Sequence, residues 1–240
     1  MIGSLMVGIL SGLSFGYGVL GRVNKRVATI LAVMGLIAFT AGAQARDVRI
    51  AALGDSLTQG YGLMQADGFT AQLQAWLDAR AIGATVVNAG VSGDTTTGGL
   101  ARVDWTLTPD IDAMIVALGG NDVLRGIDPE VARANLTGIM EAAKARDIPV
   151  LIIGIGVPGN YGEDYRAAFE AIYPDLAAQY DALYVENFLG ALVEKTDSAE
   201  TLARFMQSDG IHPNAAGVRV IIDAIGPVVG ELAARVEGHS

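Results

Sequence analysis

Cysteine is absent from all 240 residues, which removes disulfides, thiolate zinc sites, a cysteine nucleophile and a lipid anchor through cysteine. Histidine is almost absent as well: His212 and His239 are the only two, and the second stands one residue from the end. A histidine-rich metal cluster is thereby excluded, and chemistry that needs an imidazole has a single candidate inside the body of the chain. Positive charge is scarce. The first 45 residues hold three of the 16 Lys and Arg side chains (Arg22, Lys25, Arg26) and none of the 26 Asp and Glu, so the remaining 195 residues carry 13 basic against 26 acidic groups, a net charge of −13. A surface of that sign repels phosphate backbones and deprives nucleic-acid binding of its main source of affinity. From Arg46 onward there is no linker, repeat or low-complexity tract, and the length is enough for one well-filled core.

What the first 45 residues do have is apolar length. Two uncharged runs, 1–21 and 27–45, flank Arg22-Val23-Asn24-Lys25-Arg26. The second run has the three parts of a secretory signal: basic residues first, an apolar stretch over 27–39, then small residues giving Ala41-Gly42-Ala43 or Ala43-Gln44-Ala45 at the exit. The alternative is a membrane hairpin, since each run approaches the length of a span, but no stop-transfer charges flank the second. The first run is unusual ahead of a signal, and initiation at Val23 through a non-AUG codon would account for it. The expected division is therefore 1–45 as an N-terminal apolar segment with signal peptide and 46–240 as the folded domain. Such a protein is exported to the periplasm or secreted, and with no cysteine it needs no disulfide there.

The folded part alternates short apolar runs with longer amphipathic ones, the pattern of βα units around a parallel sheet. Strands are expected at 48–53, 85–87, 113–118, 150–155 and, weakly, 183–185. Phe69, Leu73, Trp76 and Leu77 stand at helical spacing. Asp128-Pro129 caps a helix running to about residue 146. Tyr165, Phe169, Ile172 and Leu176 form a further stripe that Pro174 should kink or restart, and a final helix is expected over about 215–235. Five strands with helices between them imply an α/β fold, a three-layer α/β/α sandwich. The aromatic and Met residues in these stripes read as core.

Ligands of an open parallel sheet bind outside the carboxyl ends of its strands, so the loops there should carry the chemistry. They read Gly54-Asp55-Ser56-Leu57-Thr58-Gln59-Gly60 after the first strand and Asn88-Ala89-Gly90-Val91-Ser92-Gly93-Asp94-Thr95 after the second. Gly119-Gly120-Asn121-Asp122 follows the third, and Ser208-Asp209-Gly210-Ile211-His212-Pro213-Asn214 precedes the last helix. Ser56 is either an ordinary helix cap or a nucleophile presented at the sheet edge. Neither a Walker lysine nor Gly-x-Gly-x-x-Gly is present to make a phosphate cradle, and Gly-x-Ser-x-Gly is absent too. A serine hydroxyl needs a neighbouring base; His212, with Asp209 three residues earlier to fix its tautomer, can supply both parts from one loop, although an isolated Asp-x-x-His reads as a surface histidine beside a helix cap. Gly93 offers an unobstructed backbone N–H and Asn121 two side-chain donors, suited to the oxyanion of acyl transfer, or both are turn residues. Asp94 and Asp122 read as helix caps or loop braces. Carboxylates without a histidine partner leave no dedicated metal site.

These blocks, in this order, resemble the SGNH (GDSL) hydrolase family, named for its Ser, Gly, Asn and His, over nearly all of 47–236. The longer phrases Gly54-Asp55-Ser56-Leu57-Thr58-x-Gly60-Tyr61-Gly62-Leu63, Ser92-Gly93-Asp94-Thr95-Thr96, Gly119-Gly120-Asn121-Asp122-x-x-Arg125-Gly126 and Asn160-Tyr161-Gly162-x-x-Tyr165 are similar to its branch of exported bacterial arylesterases and multifunctional acyl-CoA thioesterase/lysophospholipases. The resemblance implies a flavodoxin-like five-stranded parallel sheet and a serine hydrolase of carboxylic esters, with thioesters and lysophospholipids, acting through an acyl-enzyme without metal or cofactor. It implies Ser56 as nucleophile, His212 as base and Asp209 as the residue orienting that base. Gly93 and Asn121, with the Ser56 backbone N–H, are the implied oxyanion donors. The partner implied is a small-molecule acyl ester or thioester, with membrane contact only through an uncleaved N-terminal segment or lipid substrates. The run before Arg22 departs from the family pattern. Two other readings stay open: a carbohydrate O-acetyl esterase, which the same fold and site class also serves, and a non-catalytic binding module retaining the crevice. The loops 123–127 and 157–161, with Leu124 and Ile127, are expected to shape the acyl groove.

Overall fold

β1 (Val48–Gly54) is buried at six of its seven positions, and a strand buried on both faces has to lie inside a sheet covered on both sides. The computed structural model, which describes residues 47–195 and 198–238, has β1 in that place. It pairs in parallel with β2 (Ala84–Gly90) on one side and β3 (Ala113–Ala117) on the other. β4 (Val150–Ile153) and β5 (Leu183–Val185) extend the sheet beyond β3, also in parallel. The order β2-β1-β3-β4-β5 is the flavodoxin-like one, with its topological switch between β1 and β3. The expected signal segment and His239 lie outside the described residues.

Alternation along the strands divides the core into two layers. Ala51, Leu53, Met114, Val116 and Ile152 face one side, where α3 (Thr96–Thr106), α5 (Pro129–Lys144), α6 (Glu163–Glu170) and α7 (Ile172–Tyr180) bring Val103, Leu136, Ile139, Phe169 and Tyr173 onto them. Ile50, Ala52, Ile115 and Leu151 face the other. There α2 (Phe69–Asp78) and α10 (Ala215–Glu237) contribute Phe69, Leu73, Leu77, Ile221, Ile225 and Val229. The result is the α/β/α sandwich that the alternating pattern implies.

Two elements differ from the sequence reading, and a third follows it. β2 is longer than 85–87 because Asn88, Ala89 and Gly90 continue the ladder opposite Ala52, Leu53 and Gly54, although all but one are turn formers by composition. α3 carries the pair Gly98-Gly99 and was not anticipated; the missing Cβ at Gly99 lets Leu118 approach, its Cδ1 lying 2.2 Å from where that atom would be. The stripe through Phe169 breaks at Ala171 into α6 and α7. Pro174, third residue of the second helix, stands where its missing N–H would have no intrahelical partner, so it restarts the helix as expected. Among the described residues no helix is long and apolar enough to cross a membrane.

Candidate active site

The turn after β1 is built by close approach rather than by a special dihedral. A Cβ on Gly54 would lie 2.0 Å from Thr58 Oγ1 and 3.0 Å from the Ala117 carbonyl, so only glycine lets the one-turn helix α1 (Ser56–Gln59) fold back against the strand ends. Asp55, not Ser56, caps that helix: Leu57 N–H donates to Asp55 Oδ1 at 3.0 Å. Ser56 is thus the first helical residue, and its hydroxyl is free of the capping role that an ordinary βα loop would give it.

The loop carrying Asp209 and His212 is closed at its base by an antiparallel bridge between Met206 and Pro213. Gln207 N–H donates to the His212 carbonyl at 2.8 Å, and Asn214, which caps α10, donates its amide to the Arg204 and Met206 carbonyls. The tip is held by Asp209, whose Oδ1 accepts from the backbone N–H groups of Ile211 and His212 at 2.9 and 3.0 Å. Its other oxygen, Oδ2, lies 2.7 Å from His212 Nδ1, and His212 Nε2 lies 2.9 Å from Ser56 Oγ. An ionised carboxylate can only accept, so Nδ1 carries the proton and Nε2 presents its lone pair to the serine hydroxyl. The N–H donors of His212 and Ile211 hold the Asp209 carboxyl down at about 2. Residues 156 positions apart in the chain are thereby joined into one hydrogen-bonded line.

Asn121, second residue of α4 (Gly120–Leu124), donates Nδ2–H to Asp55 Oδ2 at 3.2 Å. Gly93 has φ +81°, which a residue with a Cβ adopts only with strain, and its carbonyl accepts from Arg125 Nη2 at 2.8 Å. Asp94 and Asp122 brace the loops, as read from the sequence. Asp122, fully buried, accepts from the backbone N–H and hydroxyl of Thr96 at 2.8 and 2.6 Å. Asp94 pairs with Arg102, whose remaining nitrogens donate to the Ala89 and Gly54 carbonyls at the ends of β2 and β1.

Ser56, Gly93, Asn121 and His212 all line one cleft of about 480 Å³, with Asp209 behind the imidazole. Of the residues expected to shape an acyl groove, Val123, Leu124 and Pro158 line it. Ile127 does not; its carbonyl accepts from the Tyr165 hydroxyl. Val157 is buried and Tyr161 packs on the core beside Tyr165. The rest of the apolar wall comes from Ile155 and from Phe188, Leu189 and Val193 after β5, which no motif announced. Tyr61, within the first quoted phrase, sits on the His212 imidazole with ring centroids 4.7 Å apart. A cleft of equal volume at the amino ends of the strands, lined by Asp112, Lys144 and Arg146 among others, contains none of the serine, glycine, asparagine or histidine groups.

The arrangement can run acyl transfer: a hydroxyl with a base in hydrogen-bond reach, a carboxylate fixing that base, and donors on the facing loops. Comparison with known proteins agrees. Residues 52–220 match the GDSL-like lipase/acylhydrolase family. The chain is 35% identical over 208 residues to esterase TesA of Pseudomonas aeruginosa, covering 86% of this chain and 99% of that one. It is 37% identical over 189 residues to thioesterase 1/protease 1/lysophospholipase L1 of Escherichia coli K12, covering 78% and 86%. The crystal structure of AlinE4, an SGNH-hydrolase family esterase, superposes with a TM-score of 0.64 at 42% identity, covering 79% of this chain and 98% of that one. With that match over most of its folded part, the chain belongs to the GDSL-like lipase/acylhydrolase family and is a serine hydrolase of carboxylic esters.

Proposed function

We propose that the protein cleaves acyl esters and thioesters, lysophospholipids among them, through a covalent Ser56 acyl-enzyme. The observation that carries this is the line Asp209–His212–Ser56, with contacts of 2.7 and 2.9 Å, opening into an apolar-walled cleft. His212 Nε2 takes the hydroxyl proton as Ser56 Oγ attacks the carbonyl carbon, and Asp209 stabilises the imidazolium that results. The carbonyl oxygen becomes an oxyanion held by the N–H groups of Ser56 and Gly93 and by the Asn121 amide. His212 then returns the proton to the departing alcohol or thiol, and water repeats the sequence on the acyl-serine. No step calls for a metal or cofactor.

An acyl chain as the bound group is supported by the side chains around the cleft. Tyr61, Leu124, Val193 and Ile211 line it and are each about half exposed, an apolar rim that an alkyl chain would cover. The names of the relatives, an esterase and a thioesterase/lysophospholipase, agree with that chemistry. Export is inferred from the basic, apolar and small-residue order of 22–45. The test is labelling with a serine-reactive phosphonate, followed by a panel of p-nitrophenyl esters of rising chain length, palmitoyl-CoA and an acetylated sugar. Labelling at Ser56, lost in Ser56→Ala and His212→Ala, with turnover of acyl esters above the acetylated sugar, is the expected outcome. Absence of labelling would reduce the protein to a binding module.

A further inference from the structure

We propose that Asp55 is a positioning residue of the oxyanion site: its buried carboxylate holds the Asn121 amide so that nitrogen, not oxygen, faces the reacting carbonyl. The inference rests on the proposed role of Asn121 and carries it one residue further back. A side-chain amide is nearly symmetric in shape, its N and O interchangeable by a half-turn. In the cleft the wrong half-turn would present lone pairs to a developing negative charge. Asp55 removes that choice. When ionised its Oδ2 can only accept, 3.2 Å from Asn121 Nδ2, and turning the amide over would set two oxygens against each other. One N–H of Nδ2 is used by Asp55; the second is left for the cleft that Asn121 lines.

Capping alone does not call for an aspartate here. Ser, Thr or Asn would accept from Leu57 N–H equally well at the start of α1, and none would bring a charge into a site that is 3% exposed. Burial raises the Asp55 carboxyl to about 6, against the pull of Leu57 N–H, the His212 charge and the Asn121 amide. A carboxylate kept at that cost points to a task for its second oxygen. Gly120 leaves space for it, since a Cβ there would stand 3.3 Å from Asp55 Oδ2.

The experiment is a double-mutant cycle on the full chain, reading kcat, KM and melting temperature with a short p-nitrophenyl ester. Asn121→Ala should lower kcat by roughly 10²–10³. Asp55→Asn still caps α1 but meets Nδ2 with an N–H of its own, and should lower kcat by roughly 10–10²-fold with KM nearly unchanged. In the Asn121→Ala background, Asp55→Asn should cost nothing further, because there is no amide left to orient. Asp55→Ser, which caps without reaching Asn121, should repeat the pattern and carries the test if Asp55→Asn fails to fold. Losses that multiply in the double variant, or a wild-type kcat in folded Asp55→Asn or Asp55→Ser, would overturn the proposal while leaving the function of Asn121 intact. A wild-type kcat in Asn121→Ala would instead overturn the oxyanion assignment, and this proposal with it.

Discussion

Asp209, which contacts His212, and Asp55, which precedes Ser56, are shifted in opposite directions, one exposed and ringed by donors, the other buried. Because Asp209 is held at about 2, it stays ionised throughout the working range, and the acid side of the activity profile belongs to other groups. The base has to be neutral to accept the serine proton, so kcat/KM should fall on the acid side; a profile flat to pH 4 would remove His212 from that role. Asp55 leads to a stability prediction. Its folded pKa of about 6 lies above the usual 3.8, so the folded state binds this proton more tightly than the unfolded chain. The stability it contributes is fully present below 3.8 and is lost as pH rises through about 6, amounting to about 3 kcal/mol for a shift of roughly two units. Asp55→Asn escapes that titration. The gap in melting temperature between the variant and wild type should therefore shift in the variant's favour between pH 4 and 6 and level off above. The lost link to Asn121 adds only a constant, so a gap independent of pH would show that burial does not perturb this carboxyl.

At the scale of elements, the sheet was legible because a strand buried on both faces reads as a continuous apolar run: four of the five strands are found within two residues of their expected ends. β2 was cut short because Asn88 and Gly90 signal turns locally, while their pairing with β1 is a tertiary fact that no local signal contains. The four site loops were legible for the opposite reason. Ser56, Gly93, Asn121 and His212 fall at strand ends or beside a helix start, where chemistry rather than packing selects the residue. The apolar wall of the cleft was only half legible. Leu124 follows Asn121 by three residues on α4, so one helix face presents both to the cleft. Phe188, Leu189 and Val193 arrive from after β5, and only the sheet order brings them near. Leu124 is 59% exposed, so Leu124→Asp should leave the melting temperature near wild type. If this side chain covers two methylenes of a bound chain, each worth about 0.8 kcal/mol, KM for an octanoyl ester should rise roughly tenfold and that for an acetyl ester should barely move. Equal effects on both esters would take Leu124 out of the acyl groove.

For the whole molecule, the question is how much of the chain the hydrolase needs. Among the described residues, the two buried clusters together draw on side chains from Val48 to Ala233, and β1 begins at Val48, three residues past the last candidate cleavage site. In the comparisons, 79% of this chain matches 98% of AlinE4, and 86% matches 99% of TesA. The chain from Arg46 to Ser240, expressed alone, should fold and hydrolyse p-nitrophenyl esters with a kcat/KM close to that of the processed full-length product, since the two buried clusters of the described residues lie within Val48–Ala233. Expressed with its first 45 residues in a bacterium, the same chain should be recovered outside the cytoplasm with Gln44 or Arg46 as its first residue, the small-residue patterns at Ala41-Gly42-Ala43 and Ala43-Gln44-Ala45 being what a signal peptidase cleaves. N-terminal sequencing reads the result directly. A mature product that keeps residues 27–45 would mean that the second apolar run is an anchor, and one beginning at Met1 would exclude initiation at Val23. In either case the activity of the shortened chain decides separately whether the hydrolase depends on the leader, because that measurement needs no export.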